Sequence, residues 1–333
     1  MLQLLYNHNN SKSIRIYVKY AYIMNTDYIN RLSQKGTLVL QAPYPWQAEF
    51  KSDIVQGLES HDQVIVLITE LHDDSAELCR ALTDPRIHYL LCGFVSGVDS
   101  TPCMDWFAQT VSNYQNIQLK PASKLEPYQT KPKYFDILLG QQKPHRQFVY
   151  DYINDHRLSE QVIMSYIQDR GSQLGNTDWI WEPGVERDDS IQWTVTTVKY
   201  RSRYLPLSQI IPVSIYNDTA YTVVCETNFN NDYSFYTEKV AKPILSERLF
   251  VAVSGQHYLR NLRKLGFKTF DGIIDEGYDS VEDSQARFQL ACEQIKWLCE
   301  QSQSEILEQI QPITEHNKKV MLETDWHYNK FTS

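Results

Sequence analysis

The chain has 333 residues, 42% hydrophobic and 22% charged, the balance of a globular protein with room for two domains. Its net charge of −9 argues against nonspecific nucleic-acid binding, which relies on a basic surface. No apolar run approaches the roughly 20 residues that a membrane helix needs, and residues 1–5 are too short for a secretory signal. The six cysteines have no zinc-ligand spacing, which predicts free thiols and a cytoplasmic location.

Residues 1–125 are predicted to form an N-terminal α/β domain. Short apolar runs alternate there with segments of helical periodicity, which predicts a parallel sheet with right-handed crossovers. The predicted strands are 13–18, 37–40, 64–69 and 86–92, and the predicted helices are 47–58 and 75–82. The clearest buried strand is 64–69, and Glu70 and His72 follow it directly.

Three prolines among polar residues make 120–133 the best candidate for a linker. A second α/β domain is predicted at 131–300, followed by a helical tail at 301–333. The predicted strands of this domain are 134–139, 162–167, 219–226 and 249–254. Its predicted helices are 146–153, 238–245, 258–265 and a long helix from 283. Ser280 and Asp283 could form a capping box for the long helix. The stretch 176–193 is predicted to be a loop or an insertion.

A polar cluster lies between two apolar runs of the second predicted domain. It contains Glu226, Asn228, Tyr236, Glu238 and Lys239. Lysine and tyrosine can hold a diphosphate, and a carboxylate can accept hydrogen bonds from ribose hydroxyls. The apolar segments place the cluster at the carboxyl end of a strand and the start of a helix, where open α/β sheets bind nucleotides.

The segment 236–239, Tyr-Thr-Glu-Lys, resembles the donor-binding motif of the α-1,3-fucosyltransferase-like (family 10) glycosyltransferases. The resemblance continues through 242–245, 249–255, 265–271 and 275–279, in the pattern of bacterial and phage relatives, and covers roughly the C-terminal half. It implies a GT-B-like α/β fold, in which two Rossmann-like domains face a cleft. The N-terminal half would bind the acceptor and the C-terminal half the sugar nucleotide.

The resemblance implies metal-independent, inverting transfer of a sugar from a nucleoside-diphosphate donor, with GDP the best guess, to a hydroxyl of a glycan or another acceptor. The sugar nucleotide is a substrate, and no cofactor or metal is expected. Arg146 and Lys239 would neutralise the leaving diphosphate, and Tyr236 would donate a hydrogen bond to it. Glu238 would bind the ribose. Glu226 and Asn228 would line the same cleft.

An inverting transferase needs a general base, which in the related enzymes is an acid of the N-terminal domain. Glu70 is the candidate because it ends the strongest N-terminal strand, and His72 is adjacent. Asp99 and Asp105 are weaker candidates. Arg201 or Arg203 could assist the phosphate-binding cations, but nothing in the spacing selects one.

Two further groups have both a functional and a structural interpretation. Asp275, Glu276 and Asp279 could suggest a metal site, but their spacing lacks the glycine and alternating ligands of a calcium loop, so helix capping or domain closing is favoured. The three tryptophans of the 176–193 stretch could stack on a sugar or a base, and packing of a hairpin is slightly favoured.

Two rival functions stay open at this point. If the gene is viral, the acceptor could be a modified (hydroxylated) DNA base, and a basic groove could run through the set Lys131, Lys133, Lys143, His145 and Arg146, for which a solvated linker is an equal alternative. A non-catalytic module with the same fold is also compatible, since Cys225 and Thr227 replace residues of the family pattern and Asn228 comes one position late.

Overall fold

The computed structural model describes residues 2–8, 12–18, 36–42, 48–167, 185–186, 197–200, 203–206, 208 and 210–326. These residues form two compact units. The first contains the described residues of 1–108, 232–236 and 324–326, and the second those of 109–231 and 237–323. Both units combine helices with parallel strands, which confirms the predicted α/β class. The predicted domain bounds 1–125, 131–300 and 301–333 stay predictions.

The first unit is built on a six-stranded sheet in the order β1–β2–β3–β4–β5–β7. The strands of this unit are β1 (Leu2–His8), β2 (Lys12–Val18), β3 (Thr37–Ala42), β4 (Gln63–Ile68), β5 (Ile87–Leu91), β6 (Gly93–Val95) and β7 (Ser100–Pro102). Its helices are α1 (Ala48–Ser60), α2 (Asp73–Ala81) and the start of α3 (Asp105–Asn113). Strands β2 to β7 of the sheet pair in parallel, and β1 pairs antiparallel with β2 at one edge.

Apolar runs explain why these strands were predictable. Leu40, Val66, Ile68 and Leu91 have no exposed surface, because they pack in the core of a sheet with helices against it. The predicted strands at 13–18, 37–40, 64–69 and 86–92 and both predicted helices are confirmed. The edge strand β1 was not predicted, since its sequence lacks a clear alternation.

The second unit contains a four-stranded parallel sheet in the order β15–β13–β8–β9. The strands of this sheet are β8 (Lys133–Gln141), β9 (Val162–Ile167), β13 (Thr219–Cys225) and β15 (Phe250–Val253). A second, small antiparallel sheet comprises β10 (Val185–Glu186), β11 (Thr197–Tyr200) and β12 (Arg203–Pro206). The helices are α4 (Leu119–Ala122), α5 (Pro144–Asp155), α6 (Val213–Asp218), α7 (Glu238–Leu245), α8 (Tyr258–Lys264), α9 (Ser284–Cys299) and α10 (Gln303–Glu323). The remaining strand, β14 (Tyr233–Phe235), belongs to the first unit and pairs antiparallel with β6.

The strand order of the second unit reverses between β8 and β13. From β8 the chain passes through α5 to β9 on one side, whereas from β13 it passes through α7 to β15 on the other side. The carboxyl ends of β8 and β13 therefore flank a topological switch point. In open parallel α/β sheets, ligands bind in the crevice at such a point.

A buried ion pair holds the amino-terminal half of this sheet. The Arg248 guanidinium, 2% exposed, lies 2.8 Å from the Asp136 carboxylate of β8, which is also 2% exposed. Arg248 also donates to Thr219 and Thr222 of β13 and stacks on the Tyr216 ring, with 4.2 Å to the centroid. Both charged groups are buried, and each neutralises the other. Removal of either partner alone therefore leaves an unpaired buried charge.

Three sequence predictions are corrected or fall outside the structure. The proposed linker 120–133 begins as helix, because α3 continues through a π-helix (Tyr114–Gln118) into α4, where Pro121 is tolerated as the helix ends. Asp283 alone caps α9, with its side chain accepting from the Ala286 amide, so the capping box with Ser280 is wrong. The 176–193 stretch lies outside the described residues except for β10.

In the described part of the chain, no helix is both long and apolar enough to cross a membrane. All six cysteines are buried free thiols.

We expect Arg248→Met to destabilise the second unit by about 3–5 kcal/mol, because it leaves the Asp136 carboxylate buried without its cation. The double variant Asp136→Asn/Arg248→Met should recover part of this loss, since no charge is then left unpaired. Urea unfolding of both variants and the wild type checks the expectation. A double variant no more stable than Arg248→Met alone would show that the unpaired charge is not the cause.

Candidate functional site

Four of the seven predicted site residues meet at the switch point of the second unit. Arg146 lies in the first turn of α5, after β8, and Glu226 directly follows β13. Glu238 and Lys239 are the first two residues of α7. The prediction that the polar cluster spans a strand end and a helix start is therefore confirmed.

The Glu226 carboxylate holds these segments together. It has no exposed surface and accepts four hydrogen bonds. One oxygen accepts from the Thr237 amide at 3.0 Å and the Tyr258 hydroxyl at 3.1 Å; the other accepts from the Thr237 hydroxyl at 2.8 Å and the Thr227 amide at 3.0 Å. Burial raises the pKa of Glu226, and the Lys239 ammonium and the Thr237 hydrogen bonds oppose the rise. The group thus ties β13 to the starts of α7 and α8.

Lys239 is positioned by the cap of α7. Thr237 is the N-cap residue, and its hydroxyl oxygen accepts from the Lys239 amide at 3.3 Å. The Lys239 ammonium lies 2.9 Å from the Glu238 carboxylate and 3.3 Å from the hydroxyls of Thr227 and Thr237. Its side chain is 27% exposed, so this cation can reach a ligand from solvent.

Glu238 lies in a strongly cationic environment. Burial raises the pKa of its carboxyl, but the ammonium groups of Lys239 and Lys242 outweigh burial and hold the pKa below its usual value. Burial lowers the pKa of Lys242 to about 8, although this side chain keeps partial exposure at the surface. Glu238 is therefore ionised at neutral pH; its side chain is 4% exposed and is paired with the Lys239 ammonium.

Arg146 is a buried cation that forms no ion pair with an acidic residue of the described part of the chain. A β-bulge interrupts β8 at Gly140, where a side chain would meet the Arg146 guanidinium at 3.2 Å, so glycine leaves room for the guanidinium. The guanidinium donates to the carbonyl oxygens of Gln141 at 2.8 Å and Glu226 at 3.3 Å, and its Nε has no partner. Arg146 is 4% exposed, and no carboxylate of the described residues lies within ion-pair distance. Burial lowers the pKa of Arg146, and nearby negative groups, Glu226 and Glu238 among them, partly oppose this shift from beyond ion-pair distance. A bound anion would offset the remaining cost of burying the charge.

Two neighbours of Arg146 were not assigned a role at this site from the sequence. The Lys143 ammonium donates to the Thr227 carbonyl at 2.5 Å. The His145 ring lies 2.8 Å from the Glu226 carbonyl; since a carbonyl only accepts, Nε2 carries the proton. Burial and the adjacent Arg146 lower the pKa of His145 to about 3, so it is neutral. Pro144 at the first helical position is a sequence signal that could have located this helix start.

Three of the five residues of the basic groove suggested from sequence are buried, whereas Lys133 and Lys143 keep partial exposure. His145 and Arg146 are 0% and 4% exposed, and the Lys131 side chain is 3% exposed and pairs with Glu126 at 3.7 Å. The sequence shows that these residues are basic. It does not show that the start of the helix and the end of the strand place their side chains in the interior.

Asn228 lies in the loop after Glu226, where its side chain supports the backbone. Its amide oxygen accepts from the Asn230 amide at 3.0 Å, and its carbonyl accepts from the Ser254 hydroxyl at 2.9 Å. Gly255 permits this loop to approach, because a side chain there would lie 2.0 Å from the Asn230 carbonyl oxygen. Arg287 donates to the Phe229 carbonyl at 3.2 Å and fixes the other side of the loop.

The structure does not place Tyr236 and Glu70 in the second unit. Tyr236 belongs to the first unit, has no exposed surface, and makes edge-on contacts with Phe94 and Phe107 at centroid distances of 6.4 and 6.2 Å. Glu70 follows β4, is 22% exposed, and lies 3.6 Å from the His72 ring. The sequence did not show that 232–236 return to the first unit, because their partner strand β6 is distant in the chain.

The weaker acid candidates also lie in the first unit, where Asp99 is exposed in the β6–β7 connection and Asp105 is buried at the start of α3. Arg201 lies outside the described residues, and only the backbone of Arg203 is described.

The acidic group at 275–279 has the capping role favoured from sequence. Asp279 accepts from the Leu259 amide at 2.8 Å at the start of α8, and Asp275 accepts from the Gly277 amide at 2.8 Å. Glu276 accepts from the Phe270 amide at 2.6 Å. Among the residues that the structure describes, no group of three or more His, Cys, Asp or Glu side chains is arranged to hold a metal ion.

No protein-family model, no curated protein and no solved structure matches this chain.

We expect Glu226→Gln to destabilise the second unit by about 3 kcal/mol, because the new amide group faces hydrogen-bond donors and leaves two of them unsatisfied. Tyr258→Phe is the matched control: it removes one of the four donors and should cost about 1.5 kcal/mol. Chemical denaturation measures both. Equal, small losses for the two variants would contradict the role of Glu226 as the common acceptor.

Proposed function

We propose that this protein is a glycosyltransferase that moves a sugar from a nucleoside-diphosphate donor to an acceptor hydroxyl. The observation that carries the proposal is the buried Arg146 guanidinium at the switch point, which has only carbonyl partners among the described residues. Crevices of this type bind nucleotides in open α/β sheets, and a diphosphate supplies the anion that Arg146 lacks.

Lys239 supplies the second cation of the proposed donor site. When a sugar is transferred, negative charge develops on the leaving diphosphate and has to be neutralised. Lys239 is partly exposed, and it follows the N-cap of α7. Arg146 and Lys239 would perform this neutralisation in a metal-independent, inverting reaction.

Glu238 fits the nucleoside side of the same donor. Its carboxylate is ionised, and the ribose offers two vicinal hydroxyls that can donate to it. The resemblance to fucosyltransferase-like enzymes favours GDP as the nucleotide. Glu226 would act on the donor indirectly, because its carboxylate is occupied by four protein donors.

The proposal includes a GT-B-like arrangement, in which two Rossmann-like domains face a cleft and the first holds the acceptor. Glu70 would be the general base that deprotonates the acceptor hydroxyl, with His72 at 3.6 Å as its neighbour. The acceptor would be a glycan or another hydroxyl compound.

A non-catalytic nucleotide-binding module is the second candidate. It is favoured by the saturated carboxylate of Glu226 and by the loop-supporting role of Asn228, two residues that the resemblance places against the donor. Such a module would bind the same nucleotides without turning over the sugar donor.

We expect one nucleoside diphosphate, and its sugar derivatives, to raise the melting temperature of the protein selectively. A thermal-shift panel of the common nucleoside diphosphates and sugar nucleotides identifies it, and calorimetry gives the affinity. Lys239→Ala should weaken that affinity by about 10- to 100-fold, because it deletes a charge-assisted hydrogen bond. Arg146→Lys should also weaken it, since an ammonium cannot replace the planar fork of guanidinium donors.

Lys268→Ala is the control, since it removes an exposed lysine of the same unit outside the site and should leave binding unchanged. Binding without release of the sugar, in the presence of an acceptor panel, would favour the non-catalytic module. No stabilisation by any nucleotide would refute both candidates.

A further inference from the structure

The segment before α7 belongs to the first unit and continues directly into the second. Residues 232–236 are part of the first unit, and the second unit resumes at Thr237. The planar peptide bond between Tyr236 and Thr237 holds their Cα atoms about 3.8 Å apart. The Thr237 hydroxyl caps α7 and lies 3.3 Å from the Lys239 ammonium. The place where Tyr236 is held therefore limits where Lys239 can lie.

Backbone contacts fix Tyr236 in the first unit. The strand before it, β14, pairs antiparallel with β6, and the Tyr236 amide donates to the Cys92 carbonyl at 3.4 Å. Gly93 permits this pairing, since a side chain there would lie 1.9 Å from the Ser234 carbonyl oxygen. The Tyr236 ring has no exposed surface, so it moves only when its neighbours move.

The Tyr236 ring is part of an aromatic set in the first unit. The set consists of Phe94, Phe107, Tyr236 and Trp326. The Trp326 ring lies edge-on to the Phe107 ring, with 5.1 Å between the centroids and an interplanar angle of 89°, and Phe107 in turn contacts Tyr236. Edge-on pairs stabilise beyond the area that they bury. A continuous series of ring contacts thus runs from Trp326 to the residue before the α7 cap.

Trp326 is anchored by its backbone as well as by its ring. It is 2% exposed, and its carbonyl accepts from the Met104 amide at 2.9 Å, directly before α3. Residues 324–326 follow α10 in the chain and belong to the first unit. Packing and a backbone hydrogen bond therefore hold the indole ring in place against Phe107.

The rings of Trp326 and Phe107 act by filling space, since neither carries a group that the proposed donor site uses. When a large side chain is removed from a close-packed interior, the surrounding structure relaxes only in part and the neighbouring side chain gains room to move. Removal of the indole ring gives this freedom to Phe107, and through it to Tyr236. The cap of α7 begins one peptide bond later.

We propose that Trp326 is a positioning residue of the candidate donor site. Through Phe107 and Tyr236, it fixes the cap of α7 and with it the ammonium of Lys239. The effect on the cap does not depend on what the site binds, whereas the effect on nucleotide affinity rests on the proposed function.

The first measurement is hydrogen–deuterium exchange of the full chain without ligand, read by mass spectrometry on peptides that cover the start of α7. We expect Trp326→Ala to raise the exchange rate of the Thr237 and Lys239 amides about tenfold, because the cap opens more often. Trp326→Phe should exchange nearly as slowly as wild type, since it keeps a ring against Phe107. If Trp326→Ala does not fold, Trp326→Leu, which keeps an apolar side chain without a ring, replaces it.

Ile54→Ala is the matched control. It removes a side chain of α1 that is as deeply buried in the first unit but packs in the core cluster around that helix, outside the aromatic set. It should lower the melting temperature as Trp326→Ala does and leave the exchange at the start of α7 unchanged.

Calorimetry with GDP, UDP and ADP tests the consequence for the donor site. Trp326→Ala should weaken the binding of the preferred nucleotide about tenfold, whereas Lys239→Ala and Trp326→Ala/Lys239→Ala should bind equally, since no lysine is left to be misplaced. A wild-type protein that binds no nucleotide contradicts the proposed function, and the exchange result then decides this inference alone. The inference is overturned by unchanged exchange in Trp326→Ala, by equal acceleration in Ile54→Ala, or by a double variant whose loss is the product of the two single losses.

Discussion

The buried carboxylate of Glu226 is the constraint on which the geometry of the candidate site depends. It accepts hydrogen bonds from Thr227, Thr237 and Tyr258, which lie one, eleven and 32 residues further along the chain. One charged group therefore fixes the end of β13 and the starts of α7 and α8 together. The position of Lys239 follows from this arrangement, because the same Thr237 hydroxyl that donates to Glu226 caps the helix that begins with Glu238 and Lys239.

Arg146 is a buried charge with fewer partners than Glu226. Glu226 has a full set of donors, whereas Arg146 donates to two carbonyl oxygens and meets no carboxylate among the described residues. Folding keeps this cation in place through the bulge at Gly140, which provides the space for it. A protein interior tolerates such a group at a cost in stability, and a bound anion would offset that cost. The arrangement thus links the energetics of the fold to a preference for an anionic ligand.

Strands and helices could be predicted where the residues of the segment itself determine its secondary structure. Strands β4, β8, β13 and β15 are buried parallel strands with apolar runs, and α5 and α7 begin at a proline and a capping threonine. The placement of Glu226 and Glu238 at a strand end and a helix start followed from the same signals. Local sequence did not show that Glu226 is occupied by protein donors, or that Tyr236 belongs to the first unit, because those contacts join distant segments. The predicted linker begins with three residues of a helix, because a proline near a helix end is compatible with helix.

A crystal structure of the protein with the nucleoside diphosphate that stabilises it best would test the proposed donor site. We expect the diphosphate to lie at the carboxyl ends of β8 and β13, with its oxygens within hydrogen-bonding distance of the Arg146 guanidinium and the Lys239 ammonium. We expect the ribose hydroxyls to face Glu238. A nucleotide bound at another place in the molecule, with Arg146 still without an anionic partner, would contradict the proposed donor site.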